Sequence, residues 1–489
     1  MAGASGPLSQ RRAGILLHPT SLPGGVLGPE AFRFADFLAT SGLSVWQCLP
    51  LGPTHDDGSP YQCLSVHAGN PRLISLELLA EQGWLNNDAA IPGDVDTAAY
   101  RCTCLIESRR GFMQRASDEE RAALDAFVVK HGHWLDDFAL YQALRQENEG
   151  RAWLDWPVAL RDRETDAMDR ARARLVGAIE QACFEEYVFF RQWQNLKRYA
   201  NERGILLFGD MPIFVAYDSA EVWAHREYFM LDEEGKAQAV AGVPPDYFSA
   251  TGQRWGNPHY NWGRMQADGF HWWVERMATQ LELFDLIRID HFRGFEAYWE
   301  IPAHAETAID GRWVKAPGDE LFQALQETFN PLPLVAEDLG IITPEVDALR
   351  EKYGLPGMKV LQFAFEGGSS NPYLSYNHER NSVVYTGTHD NNTTVGWFEE
   401  LSPSLQQHIL EYLGLPQEIM PWPLIRCAFA SVAQLAIVPM QDVLALDGEH
   451  RMNLPGTTES NWRWRFDWEQ VPEELPGRLH RLAEIYGRR

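Results

Sequence analysis

Three short apolar runs in this chain end in carboxylates. The first, Phe284 to Asp290 (FDLIRID), continues into His291, Phe292 and Arg293; the second, Pro333 to Ala336, leads into Glu337 and Asp338; the third, Ser382 to Thr386, leads through Gly387 and Thr388 into His389 and Asp390. Residues two apart share a face of a strand, so Leu286, Arg288 and Asp290 point one way and Ile287 and Ile289 the other. A lone Arg288–Asp290 pair would also serve as a core ion pair, a common structural use of buried charge. Three acids at the ends of three successive strand-like runs ask for more. In a barrel of parallel strands such ends open on one face, the face that carries active sites.

Paired carboxylates in that position suit the breaking of glycosidic bonds. One acid protonates the leaving oxygen, while a second carboxylate attacks the anomeric carbon or activates a water. The two need different pKa values. Asp290 has Arg288 on its own face and His291 and Arg293 beside it in sequence; a nearby cation lowers a carboxyl pKa, which suits a nucleophile. Glu337 follows an apolar run and has Asp338 as an acidic neighbour; desolvation and like charge raise a carboxyl pKa, which suits a general acid. Asp390, preceded by His389, is placed to clamp sugar hydroxyls or to support a cationic transition state.

The elements that must hold these acids can be read along the chain. Strands are expected at Ala13–Leu17, Val45–Pro50, Ile205–Gly209, Phe284–Asp290, Pro333–Glu337, Met358–Phe365, Ser382–Thr386 and Leu435–Met440, most of them separated by amphipathic stretches. Alternating strands and helices argue for a parallel sheet, and eight repeats for a closed (β/α)8 barrel of the α/β class. Thr343 and Pro344 read as the cap and first position of one such helix, which stops at Gly354. Residues 1–489 are therefore expected to form a single catalytic barrel. Two interruptions break the rhythm. Residues 63–203, between the second and third strands, are charged and helical in pattern, notably over 118–149 and 162–201. Residues 210–268, after the third strand, are rich in Gly, Pro and aromatics, too long for a simple βα loop and expected to shape a cleft.

Composition narrows the partners. A formal net charge of −26 disfavours nucleic acid and anionic membranes, whose phosphates would be repelled, and fits an uncharged ligand. No stretch approaches the ~18 apolar residues of a membrane span. Several of the 18 tryptophans lie in polar loops, Trp255 in GQRWGNP and Trp462 and Trp464 in NWRWRF, where flat rings suit the C–H faces of sugars. The six cysteines show no Cys-x-x-Cys pair or zinc spacing, and no acidic loop has calcium-binding spacing, so neither metal nor organic cofactor is expected. The first residues lack the apolar core of a signal peptide, and a cytoplasmic location is expected.

The motifs LLHPTSLPGG (16–25), LPLGPT (49–54), SPYQ (59–62), GDMPIFV (209–215), GVPPDYFSATGQRWGNP (242–258), RIDHFRG (288–294), AEDLG (336–340), GTHDN (387–391) and LPGT (454–457) resemble, nearly end to end, those of the 4-α-glucanotransferases known as amylomaltase or disproportionating enzyme, retaining enzymes related to α-amylases. The resemblance implies Asp290 as nucleophile, Glu337 as acid/base and Asp390 as transition-state stabiliser. It implies Arg288 and His389 as ligands of the sugar at the cleavage point, and Tyr61, Asp246, Phe248, Trp255 and Asn461 as residues of glucan-contacting loops; His291 is also expected to bind substrate. The loop from Pro244 through Phe248 to Trp255 is expected to cover the acceptor side. Asp210, also at a strand end, is expected to have a hydrogen-bonding role. The implied substrates are α-1,4-glucans, maltooligosaccharides and glucose. The chain departs from the family at Asn392, where Asp is frequent, and ends too soon after the eighth strand for the C-terminal β-domain of α-amylases. An α-glucan hydrolase and a non-catalytic glucan-binding protein remain the alternatives.

Overall fold

The computed structural model of the chain describes residues 6–86, 98–245 and 249–489. Twelve strands occur among them: β1 (Arg12–Leu16), β2 (Val45–Gln47), β3 (Leu206–Met211), β4 (Ala239–Val243), β5 (Gln253–Pro258), β6 (Leu286–Ile289), β7 (Ala297–Pro302), β8 (Arg312–Lys315), β9 (Leu334–Ala336), β10 (Gly357–Val360), β11 (Ser382–Tyr385) and β12 (Leu435–Pro439). Eight of them pair in the order β10-β11-β12-β1-β2-β3-β6-β9, every pair parallel. They are the eight runs expected from the sequence, and they form a (β/α)8 barrel. Except at β1 and β3 the strands are shorter than the apolar runs: the seventh residue of the run at Met358 already lies beyond a 3-10 turn at Leu361–Phe363.

Alternation sorts the side chains as a barrel requires. Leu16, Val45, Phe208, Leu286, Val335, Met358, Val383, Tyr385 and Ile437 fill the interior, while Ile287, Ile289, Leu207, Ala336 and Val384 face the surrounding helices. The ring closes between β9 and β10 through few bonds. Ala336 donates its N–H to Pro356 O (2.8 Å), and the Asp338 carboxylate accepts the Met358 N–H (2.6 Å). Gly357 permits this approach, since a Cβ there would lie 2.2 Å from Asp338 Oδ2. The buried Arg350 guanidinium, 3.3 Å away, balances the charge. Asp338 therefore turns outward to the barrel seam; the expectation that it acts on Glu337 as a like charge is corrected.

Between β2 and β3 the described residues are mainly helical, with helices at Leu76–Glu81, Ala98–Arg115, Asp118–Glu147, Thr165–Arg174 and Val176–Glu202. The longest opens on a capping box in which Ser117 and Glu120 satisfy each other's backbone N–H. Its aromatic core, including Trp84, Phe112, Trp134 and Phe190, is continuous with the outer layer of the barrel. The helix at Pro344–Lys352 has its proline at the start and left-handed Gly354 beyond its end, as expected, but Thr343 makes no side-chain cap bond.

The sequence reading missed a second sheet. β4 and β5, from the excursion after β3, pair antiparallel with each other and with β7 and β8, in the order β5-β4-β7-β8. β5 is polar and Gly/Pro-rich and β8 is largely exposed, so neither carries the apolar signature of a buried strand. This sheet gives the cleft one rigid wall.

Asp338→Ala should lower the thermal midpoint without touching the cleft. It strands the Met358 N–H and removes a buried partner of Arg350, a loss of about 3 kcal/mol. An unchanged midpoint would show that the seam does not depend on this carboxylate.

Candidate active site

The register of two neighbouring strands builds the centre of the site. Asp210 on β3 lies directly beside Arg288 on β6, and both point into the barrel. Arg288 Nη1 donates to the two Asp210 oxygens at 2.8 Å. Its Nη2 reaches Asp290 Oδ1 at 2.8 Å. Tyr61 adds its hydroxyl to Asp210 Oδ2 at 2.9 Å. Burial opposes the guanidinium charge, but Asp210 and Asp290 more than offset it and hold Arg288 well above its ordinary pKa. Asp210 is fully buried, whereas the Asp290 side chain keeps 29% of its surface open to the cleft. Of the three cations near Asp290 in sequence, Arg288 alone forms an ion pair with it. Arg293 points away, stacking on Trp313 at 3.9 Å and donating to Ile341 O.

The chain leaves β6 through an unusual turn. Asp290 donates its N–H to Met211 O (3.0 Å), and His291 takes a left-handed φ of 50°. Non-glycine residues rarely adopt this conformation, and it clusters at functional sites. Here it aims the His291 N–H at Glu337 Oε2, 2.7 Å away. Leu339 N–H binds Glu337 Oε1 at 3.0 Å. Burial raises the Glu337 carboxyl, Arg288 works against this and Asp290 adds to it, leaving Glu337 at about 7. The like charge that lifts Glu337 is thus Asp290. The His291 ring is itself pushed down to about 4 by burial, against the pull of Asp290, and stands edge-on to Trp255 (4.9 Å, 89°). It enters the site through its backbone and as part of a wall.

Asp390 ends the loop after β11. His389 Nε2 lies 3.3 Å from its Oδ2, and Asn453 Nδ2 donates to its Oδ1 at 2.6 Å. The crowded surroundings oppose ionisation, but His389 and Asn453 outweigh them and hold the Asp390 carboxyl below the usual carboxylate range. Burial works against a charge on His389 too, yet Asp390 raises it above its ordinary value. The His389 ring stacks on Tyr61 (5.1 Å, 19°) and lies 5.9 Å from Trp462. Asn392 turns aside from the site and donates to Glu400 Oε1 at 3.0 Å, a bond that an aspartate could not make.

The structure thus gathers Tyr61, Arg288, Asp290, His291, Glu337, His389 and Asp390 around one opening, with Trp255 on its wall. Asn461 also has local partners: its Oδ1 accepts Leu454 N–H and its Nδ2 donates to Thr457 O (2.9 Å each), so its amide fastens the loop. Asp246 and Phe248 lie outside the described residues. Sequence reasoning overlooked Asn453 and the strength of the tie between Asp210 and Arg288. Only the last had a signal, a second strand-end acid in GDMP. Among the described residues, no group of three or more His, Cys, Asp or Glu is arranged to hold a metal ion.

The site thus sets together a buried carboxyl raised to about 7, a carboxyl bound by a guanidinium and a third carboxyl held below the usual range. Comparisons with known proteins place the whole chain. The family described as 4-alpha-glucanotransferase matches residues 17–470. A 4-alpha-glucanotransferase of Thermus thermophilus is 52% identical, over 97% of this chain and 98% of the relative. The chloroplastic/amyloplastic 4-alpha-glucanotransferase of Arabidopsis thaliana is 42% identical, over 99% of this chain and 86% of the relative. Among solved structures, amylomaltase from Streptococcus agalactiae in complex with acarbose superposes with a TM-score of 0.94 at 38% identity, covering 98% of this chain and all of the other. With barrel, acids and near full-length identity in agreement, the chain belongs to the 4-alpha-glucanotransferase family.

Proposed function

We propose that this enzyme moves α-1,4-glucan segments from a donor to the 4-hydroxyl of glucose or another glucan by a retaining double displacement, with Asp290 as nucleophile, Glu337 as acid/base and Asp390 as stabiliser of the cationic transition state. The observation that carries the reading is the division of labour between two neighbouring carboxyls. Arg288 fixes Oδ1 of Asp290, which presents Oδ2 to the anomeric carbon. The backbone N–H of His291 fixes Glu337, whose raised pKa keeps a proton available.

In the first half-reaction Asp290 Oδ2 attacks C1 while Glu337 protonates the glycosidic oxygen. The C1–O bond breaks, the reducing-end glucan departs, and a β-glucosyl ester remains on Asp290. Positive charge grows on the sugar ring between Asp290 and Asp390, and fixed anions in a crowded site are worth more there than in water. In the second half-reaction Glu337, now a carboxylate, takes the proton of the acceptor 4-hydroxyl as that oxygen attacks C1 and displaces Asp290. Two inversions restore the α configuration. Trp255, on the cleft wall beside the turn bearing Asp290, is assigned to hold the acceptor sugar, which raises its effective concentration and displaces competing water.

We place the reaction in a reducing compartment, the cytoplasm in a bacterial host. The cysteines form no disulfide among the described residues, which fits such a compartment, and no helix among the described residues is long and apolar enough to cross a membrane.

Two experiments test this reading. Glu337 donates its proton only below its pKa, so kcat/KM on maltotriose should decline as pH rises past about 7. That alkaline limb should vanish with a maltosyl fluoride donor, whose leaving group needs no proton; the same limb on both donors would remove Glu337 from the acid role. Incubation with maltotriose should give glucose and a ladder of longer maltodextrins at nearly constant reducing ends, and Trp255→Ala should raise the share of hydrolysis. A steady rise in reducing ends without longer products would make the enzyme a hydrolase.

A further inference from the structure

The loop after β12 reaches across the barrel mouth to the acid after β11. Two bonds tie them together, Asn453 Nδ2 to Asp390 Oδ1 at 2.6 Å and Arg451 Nη2 to the Asp390 backbone carbonyl at 2.9 Å, and a third, Arg451 Nε to Asn453 O at 2.8 Å, braces the loop itself. The loop is itself pinned. Trp462 donates its N–H to Met452 O at 2.8 Å, and Asn461 accepts from Leu454 N–H at 2.9 Å, so Asn453 sits at a closed stem. Its side chain is nine-tenths buried.

We propose that Asn453 is the positioning residue for Asp390, a donor without charge of its own that fixes one carboxylate oxygen and thereby aims the other at the sugar ring. This rests on Asp390 being the stabiliser of the cationic transition state. The groups facing Asp390 have unequal capacities. His389, raised above its ordinary value by Asp390, changes charge with pH; Arg288 is committed to Asp210 and Asp290; the Arg451 guanidinium holds the Asp390 backbone and the loop carbonyl; and Tyr61 gives its hydroxyl to Asp210. Asn453 is the member whose hydrogen bond to the carboxylate is the same at every working pH. Such a bond is stronger toward a charged acceptor than a neutral one, and an amide held at a closed stem has little side-chain freedom left to lose.

The test is a set of substitutions at Asn453. Asn453→Ala removes the donor, and kcat/KM on maltotriose should fall about ten- to hundred-fold, the usual worth of a hydrogen bond to a charged group, with the loss in kcat and KM little changed. Asn453→Asp keeps the shape. Ionised, the new carboxylate repels Asp390; protonated, it donates as the amide does. Two like charges raise each other's pKa, so the protonated form persists into the weakly acidic range. The Asn453→Asp enzyme should therefore recover activity as pH falls, while Asn453→Ala stays low throughout. A residue that merely shapes the loop would give parallel profiles for the two variants. Parallel profiles, or an unchanged kcat in Asn453→Ala, overturn the proposal. If Asn453→Ala does not fold, the profile of the isosteric variant compared with wild type decides alone. Asp390→Asn separates the two levels: if it retains activity, the role of Asp390 fails; if it is inactive while the Asn453 variants behave as wild type, only the positioning claim fails.

Discussion

A guanidinium buried between two carboxylates organises this enzyme. Arg288 holds Asp210 with one nitrogen and Asp290 with the other, and neither buried Arg288 nor buried Asp210 would be tolerated inside the barrel alone. An isolated buried charge costs several kcal/mol, and partners with good geometry recover it. That geometry is set by strand register. Phe208 lies beside Leu286 and Asp210 beside Arg288, so the apolar floor of the barrel and the charged layer above it are fixed by the same ladder. A slip of one residue would turn every one of these side chains to the other face. Folding the barrel and placing the carboxyl of Asp290 are one event.

From this centre the chemistry spreads along backbone. The turn after β6 hands Asp290 to the cleft and the His291 N–H to Glu337, so the two acids are coupled through two successive residues rather than through flexible side chains. That closeness shapes Glu337, whose buried carboxyl is raised to about 7 by desolvation and by the nearby Asp290, against the pull of Arg288. Asp390 is held independently, by the loops after β11 and β12. The separation suits a reaction in which the acids exchange a proton and a covalent bond while the third remains an anion throughout.

Much of this was legible in the chain. Alternation within FDLIRID told which side of β6 faces the interior, because period two is a property of a single strand. All eight barrel strands showed as short, mainly apolar runs, because a parallel strand covered on both faces is mostly apolar. What stayed hidden depended on distant partners. β5 and β8 pair with strands far off in sequence and are polar or exposed, so neither local composition nor periodicity marks them. Asp338 was read as a neighbour of Glu337 because it is adjacent in sequence; in a strand, adjacency sends it to the opposite face, where it closes the seam with Met358. The bonds by which Asn461 fastens its loop through Leu454 and Thr457 could not be read from its sequence segment. Asn453 carried no mark, since an amide becomes informative only when its partner is seen.

The central claim is that the Asp210–Arg288 pair places Asp290 for attack. It is tested most directly by the rate at which a fluorinated glucosyl fluoride esterifies the enzyme, followed by mass spectrometry of the peptide that contains residue 290, in wild type and in Asp210→Asn. The account predicts a stable adduct on Asp290 in wild type. In the variant the same adduct should form about a hundred-fold more slowly, the scale expected of a nucleophile displaced by an ångström, with glucan affinity little changed. Labelling of a different carboxylate, or an undiminished rate in Asp210→Asn, would contradict it.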